Sequence, residues 1–253
     1  MGILNVTPDS FSDGGRYFGA GRAREHAWEM VEQGADIIDI GGESTRPGAV
    51  SVGAAEELRR LMPVLESLVA EDFPVPISVD TYRAETAREA LACGAHMLND
   101  IWGLKADPEL AAVAAAYRAP VILMHNQHGT EYRDLMEDVR ASLRRSVELA
   151  VERGVPREQV VIDPGIGFGK DTAQNLKVLK HLRQLQVLGR PILLGTSRKS
   201  VIGNTLGLPV DERLEGTAAT VAWGIAQGAD IVRVHEVKEM VRVARMMDAI
   251  ILA

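Results

Sequence analysis

The sequence predicts an α/β fold: a single (β/α)8 barrel, or TIM barrel, of parallel strands spanning residues 1–253, with its active site at the C-terminal strand ends. Three observations predict it. Eight short apolar runs, many of them β-branched, recur along the 253 residues. Helix-period patterns of leucine and valine fill the intervals, and strands alternating with helices imply a parallel sheet covered on both faces. The count of eight, with no GxGxxG turn after the first run, favours a closed barrel over the runner-up, an open doubly wound sheet.

In order, the expected strands are 2–6 (GILNV), 36–40 (DIIDI), 77–80 (ISVD), 96–100 (HMLND), 120–124 (PVILM), 160–163 (VVID), 191–194 (PILL) and 230–234 (DIVRV). Between them, Leu58, Leu61, Leu65 and Leu68 mark one apolar helix face, as do Val139, Leu143, Val147 and Val151. Leu176, Leu179 and Leu182 mark another, and Val237, Val241, Ala244 and Met247 a last one. Gly34, Gly94, Gly154 and Gly228 stand where such helices end, as C-caps do. The one long connection without a helical pattern is 126–132. No linker or charge block interrupts the series, so one domain is expected. Met1 directly precedes the first run, and a barrel closes its lower rim with residues ahead of that strand. An N-terminal extension is therefore expected.

Composition excludes several function classes. Lys+Arg number 28 and Asp+Glu 35, a net charge of −7, which argues against nucleic acid or an anionic membrane surface as partner. At 46% hydrophobic and 25% charged, the chain is globular. Its one cysteine, Cys93, excludes a disulfide framework and a cysteine-based zinc site. No apolar run approaches the roughly 20 residues of a membrane span, and no signal peptide opens the chain. The expectation is a reduced, soluble, cytoplasmic protein.

The unusual polar residues gather at the ends of the runs: Asn5, Glu43 to Arg46, Asp80, Asn99 and Asp100, His125, Asp163, Ser197 to Lys199, Arg233 and His235. Before the runs stand Pro76, Pro120 and Pro191 instead. In a barrel this puts the polar groups at one rim, which is where barrel enzymes work. Cations at that rim of an acidic chain (Arg46, Arg198, Lys199, Arg233, His235) suggest an anionic ligand, and the loops GGESTRPG and PGIGFGK offer backbone N–H groups to it. Asp80, Asn99 and Asp163 offer carboxylate and amide edges suited to a flat heterocycle with several N–H donors. Plainer roles stand beside these. Asp80 and Asp163 suit helix N-caps, Asn99–Asp100 is a common turn pair, and Arg233 and His235 suit a surface turn. His125 and His128 are spaced like metal ligands but have no third ligand nearby. Cys93, Trp28, Trp102 and Trp223 read as packing residues, whereas Met124 and Phe168 suit either packing or the face of a flat ring.

At GILNVTPDSFSDGG (2–15) and DIIDIGGESTRPGA (36–49) the sequence resembles the dihydropteroate synthases. The likeness runs on through ISVDT (77–81), LND (98–100), LMHN (123–126), DPGIGFGK (163–170), GTSRKS (195–200) and RVHEV (233–237), essentially the whole chain. It departs at NQHGTEY after His125, where many members have Met in place of Asn126 and a QGTP-like stretch, and at Ile166, where an aromatic is common. The resemblance implies a barrel that joins 7,8-dihydropterin-6-ylmethyl diphosphate to p-aminobenzoate, releasing pyrophosphate and 7,8-dihydropteroate in folate synthesis. Asp80, Asn99, Asp163 and Lys199 would hold the pterin between Met124 and Phe168, with Arg233 stacked on its ring. Asn5, Arg233 and His235 would take the diphosphate, with Mg²⁺ on Asn5. Phe11, Thr45, Arg46, Pro47, Lys199 and Ser200 would hold p-aminobenzoate. The catalytic set would be Asp13, Asp80, Lys199, Arg233 and His235. The implied assembly is a homodimer, and sulfonamides, as p-aminobenzoate mimics, are expected inhibitors. A methyltetrahydrofolate-binding barrel of the corrinoid methyltransferase type is the alternative, but it has no use for STRPG, SRKS or a diphosphate site.

Under that reading, Asp9 and Asp13 belong to a first loop that closes over the site, with Gly14 and Gly15 as hinge. Closure would keep water from a cationic intermediate. Asp13→Ala is then expected to depress turnover more than pterin binding, measured by steady-state kinetics beside equilibrium titration. Unchanged turnover would remove the lid role.

Overall fold

The computed structural model describes residues 1–7, 16–43 and 51–253. Strand β1 (Gly2–Asn5) leads to helix α1 (Arg16–Glu32), β2 (Ile38–Gly41), α2 (Gly53–Ala70), β3 (Ile77–Asp80), α3 (Ala84–Cys93), β4 (Met97–Asp100) and α4 (Glu109–Tyr117). There follow β5 (Val121–Met124), α5 (Leu135–Glu152), β6 (Val160–Asp163), α6 (Thr172–Lys180), β7 (Leu193–Leu194), α7 (Ser200–Leu206), α8 (Leu214–Ala226), β8 (Ile231–Val232) and α9 (Val237–Ile251).

All pairings are parallel. β1 to β6 form one sheet in sequence order, and β7 pairs with β8. Two isolated bridges, Ile162↔Ile192 and Gly2↔Val234, join the two sheets at both edges and close the barrel. At these seams the Ile162 N–H donates to Pro191 O (2.9 Å) and the Ile3 N–H to Val234 O (3.0 Å). The seventh and eighth expected strands shrink to two paired residues each. Their ladder is cut short by a side chain, since Asp230 Oδ2 accepts the Ile192 N–H at 2.8 Å. The Met1 ammonium donates to Val232 O at 3.0 Å.

The two-residue period of the strands sorts the side chains. Ile38, Ile40, Ile77, Val79, Leu98, Val121, Leu123, Val160, Ile162 and Leu194 belong to the main core under the helices. Their alternates point into the barrel. Low in the barrel, Met1, Met97, Ile122, Val161 and Leu193 form a separate apolar plug. Two residues further along the same strands come Asn99, Met124 and Asp163, so the inward face turns polar at the C-terminal rim.

Local signals explain the helices. Asp134 caps α5 by accepting the Glu137 N–H at 3.0 Å, and Asp171 and Gln174 form a capping box on α6. Gly34, Gly94, Gly154 and Gly228 all have positive φ, which fits their C-cap positions. Two expected faces hold only in part: Val151 is exposed near the end of α5, and α6 stops at Lys180, where Leu176 is exposed and Leu182 opens a 3₁₀ stretch. A uniform spacing of three falls short of the ~3.6-residue turn, so those leucines drift around an α-helix. Trp28 packs edge-on against Phe73, and Trp102 lies against His128. Trp223 is more exposed than a packing residue, although its Nε1–H donates to Leu179 O. Cys93 is half-buried and unpaired.

Candidate active site

The barrel's C-terminal rim brings together most of the expected residues. Asp80, Met124 and Asp163 end β3, β5 and β6, Asn99 is the last but one residue of β4, and each is buried. Lys199 stands at the N-cap of α7, after β7, and Arg233 follows β8. Asp13, Phe11, Thr45, Arg46 and Pro47 lie outside the described residues, as do Asp9, Gly14 and Gly15.

A buried charge cluster forms the floor. Arg233 Nε donates to Asp39 Oδ2 at 2.6 Å and Arg233 Nη2 to Asp80 Oδ2 at 2.8 Å. Asn99 Nδ2 donates to the same Asp39 oxygen at 3.0 Å. Asp39 Oδ1 and Asp80 Oδ1 are buried and have no hydrogen-bond partner, so both carboxylates keep an acceptor in reserve. Burial pushes the Asp80 carboxyl up to about 7, against the pull of Arg233 and with the push of Asp39. Burial works against the Arg233 charge as well, but Asp39 and Asp80 hold its pKa above the ordinary value. The family likeness implies that Arg233 stacks on a ring, whereas here its guanidinium lies on two carboxylates.

Asp39 is the residue that sequence reasoning missed. It is fully buried within the run DIIDI, where it reads as part of a strand. Its signal was the period of two, because residue 39 pairs with Ser78 and so shares the inward face with Asp80.

The opposite wall is the loop from Asp163 to Lys170. Asp163 Oδ1 accepts the Gly165 N–H at 2.7 Å, and Lys199 Nζ donates to Ile166 O. The Lys199 ammonium sits 4.8 Å from the Phe168 ring centroid. Burial raises the Asp163 pKa, opposed first by Lys199. Burial lowers that of Lys199 to about 8, opposed first by Asp163. Arg198, directly before Lys199, has φ 57 and is ion-paired to Glu236. A left-handed non-glycine residue costs conformational energy, here held by the Arg198–Glu236 pair and by the Thr217 hydroxyl on the Arg198 N–H.

His235 Nδ1 lies 2.9 Å from Ser197 Oγ. Ser200 is exposed at the start of α7. Asp100 is a turn residue, since its carboxylate accepts the N–H groups of Trp102 (2.8 Å) and Leu104 (2.6 Å). Neither Asp80 nor Asp163 caps a helix; α3 begins after Arg83 and α6 after Asp171. Glu43 anchors the β2 side of the rim: it pairs with Arg83 at 2.7 Å and accepts the Tyr82 hydroxyl at 3.0 Å. Arg83 also pairs with the buried Glu57 at 2.8 Å.

No group of three or more His, Cys, Asp or Glu among the described residues could hold a metal. His125 and His128 make no such site: His125 Nδ1 faces Lys170 and His128 lies on Trp102. Asn5, half-buried at the end of β1, offers one hard oxygen at the rim. A single amide oxygen fits Mg²⁺, which keeps several waters and takes phosphate oxygens.

A family model described as pterin binding enzyme matches residues 1–235. A Bacillus subtilis protein called dihydropteroate synthase is 55% identical over 251 residues, covering 99% of this chain and 88% of its own length. The chain belongs to the dihydropteroate synthase family. It is therefore a transferase. A Clostridium difficile dihydropteroate synthase solved in the presence of pteroic acid superimposes with a TM-score of 0.96, at 55% identity, over 99% of this chain and 95% of that one. The Xanthomonas albilineans dihydropteroate synthase with 4-aminobenzoic acid matches with a TM-score of 0.95 at 43% identity, over 100% of this chain and 93% of that one. The dihydropteroate synthase likeness thus extends from the motifs to the whole backbone.

Proposed function

We propose that this protein joins 7,8-dihydropterin-6-ylmethyl diphosphate to p-aminobenzoate at the C-terminal rim, by a dissociative displacement that releases pyrophosphate. The observation that carries this reading is the gathering of a buried carboxylate–amide set (Asp80, Asn99, Asp163) and two half-buried cations (Lys199, Arg233) at one rim. Carboxylate oxygens accept the ring and exocyclic N–H groups of a pterin, and Lys199 donates to its acceptor edge. Phe168 and Met124 supply apolar contact.

As the C–O bond breaks, negative charge grows on the leaving diphosphate and positive charge on the pterin methylene. Arg233 and His235 face the first, and the Asp80 and Asp163 carboxylates stabilise the second through the ring N–H groups. Arg233 moves from neutralising two carboxylates to sharing its charge with the diphosphate once ring donors occupy Asp80. The arylamine attacks without a strong base, and its proton passes to water or to the departing phosphate. Asn5 would hold Mg²⁺, which would add positive charge at the leaving group. Phe11, Thr45, Arg46, Pro47, Lys199 and Ser200 are proposed for p-aminobenzoate, and Asp13 for closure.

We further propose a homodimer, because Trp223 on α8 and Met246 and Ile250 on α9 leave apolar surface exposed. No helix among the described residues is long and apolar enough to cross a membrane, and a cytoplasmic location is proposed. The methyltransferase-type alternative is disfavoured by the retention of STRPG and SRKS. A product assay decides. 7,8-Dihydropteroate and pyrophosphate are expected only when both substrates are present, with a rate that falls on chelating Mg²⁺ and with inhibition by sulfonamides. Pterin binding without pyrophosphate release in the complete mixture would overturn the reading.

A further inference from the structure

The fifth and sixth strand-to-helix loops are joined by groups that the pocket itself does not use. Lys170 is buried, 8% exposed, and its Nζ has three acceptors: His125 Nδ1 at 2.9 Å, Gly165 O at 3.0 Å and Phe168 O at 3.0 Å. Burial lowers the Lys170 pKa to about 7, opposed first by Asp163; in its ammonium form Lys170 cannot accept, and His125 then accepts through Nδ1 with its proton on Nε2. Burial first, then the nearby Lys170 and Lys105, keep His125 neutral. A second stitch lies alongside, where the Tyr132 hydroxyl donates to Gly169 O at 2.7 Å. Gln174 Nε2 adds a third, to Thr130 O at 2.7 Å. His125, Thr130 and Tyr132 all belong to the segment in which this chain departs from the family pattern or directly abut it.

The sixth loop needs these stitches. Gly165, Gly167 and Gly169 have φ of 68, 85 and 56, conformations that glycine adopts freely. Gly165 lies so close to the fifth loop that a Cβ there would stand 1.9 Å from His125 O. Ile166 anchors the loop in the core and Asn175 Oδ1 accepts the Gly167 N–H at 2.7 Å, but the three glycines have no side chains to fix the backbone between these points. Yet it presents Ile166 O and the Phe168 ring to the Lys199 ammonium.

We propose that Lys170 is a positioning residue for the pterin pocket: its three hydrogen bonds fix the segment 163–170 so that Ile166 and Phe168 hold Lys199 opposite Asp163, with Tyr132 as the supporting stitch. This rests on the functional reading above. Lys170 also acts through its charge, because the groups that hold Asp163 ionised against burial are Lys199, the Gly165 N–H, Lys170 and Arg233.

Lys170→Met keeps the length of the side chain and removes both charge and donors. It is expected to raise the KM for the dihydropterin substrate about tenfold or more, as loss of bonds to a charged group does. The KM for p-aminobenzoate should rise less than that for the pterin, since the stitches lie on the pterin wall and reach the p-aminobenzoate site only through Lys199. The acid limb of kcat/KM for the pterin should move to higher pH, because Asp163 then ionises less readily. A purely structural lysine would not move that limb. Folded Lys170→Met with wild-type pterin KM and an unmoved limb overturns the proposal. If circular dichroism shows that Lys170→Met does not fold, Tyr132→Phe decides instead. It removes one hydroxyl and is expected to raise the pterin KM about fivefold; a wild-type value there overturns the proposal. Wild-type protein that binds no dihydropterin would sink the functional reading, whereas normal wild-type binding with unaffected variants sinks only this inference.

Discussion

Lys199→Ala is expected to lower turnover by about a hundredfold to a thousandfold, the range for removing one preorganised donor from an active site, while leaving the fold intact. The ammonium lies between the Ile166 carbonyl, the Phe168 ring and the Asp163 carboxylate, so its loss removes a donor and a charge at once. The fold should survive because Lys199 is half-buried at a rim and Asp163 keeps its backbone partner, the Gly165 N–H at 2.7 Å. The same residue sets an alkaline limb. Burial lowers its pKa to about 8, so the protonated form dominates below that pH and is lost above it. The kcat/KM of the wild-type enzyme, which reports free-enzyme groups, is expected to fall above about pH 8. The residual activity of Lys199→Ala should show no such limb. Wild-type turnover in the folded variant would remove Lys199 from the site.

Asp39→Asn is expected to cost about 3 kcal/mol of stability, because it removes one partner of a buried charge pair. The melting midpoint should drop by roughly 10 °C in a chain of this size. Arg233 Nε loses its anionic acceptor, and Asn99 then shares a neutral amide with it. The variant also carries a signed pH effect. The Asp39 carboxylate is one of the groups that raise the Asp80 pKa to about 7. Its neutralisation lets Asp80 ionise at lower pH, so the acid limb of pterin binding should move downward. That is the opposite direction to Lys170→Met, which separates the two residues in one set of titrations. An unchanged midpoint with an unmoved limb would show that Asp39 neither supports Arg233 nor tunes Asp80.

The strands were legible in the sequence because a barrel strand is short, apolar on its outer face and capped by polar residues at one end. Asp80, Asn99 and Asp163 stand out for that reason, at the last or last but one position of three runs. Asp39 did not, because its run contains a second aspartate and nothing local says which of the two points inward. The register with Ser78 settles it, and register is a long-range property. Within its glycine-rich motif, Lys170 reads as part of an anion-binding loop. Its burial depends on the fifth loop folding over it, which the sequence of that loop does not announce. The two short strands at the closure were expected to be longer, since local composition does not reveal that Asp230 takes a ladder position from the sheet. Asp13, Phe11, Thr45, Arg46 and Pro47 lie in the parts of the first and second loops outside the described residues, and motif likeness carries their roles.

The division of the barrel into a six-strand arc and a two-strand ribbon also divides its charges. Every anion of the cluster (Asp39, Asp80, Asp163) rides on the arc, and both cations follow the ribbon strands. Arg233 is thus a clasp as well as a ligand group, drawing the ribbon to the arc across a seam that the backbone secures with an isolated bridge. Filling the cavity and fastening the cylinder become a shared electrostatic account, in which a guest that lifts Arg233 from Asp80 must supply its own negative charge to keep the ends together.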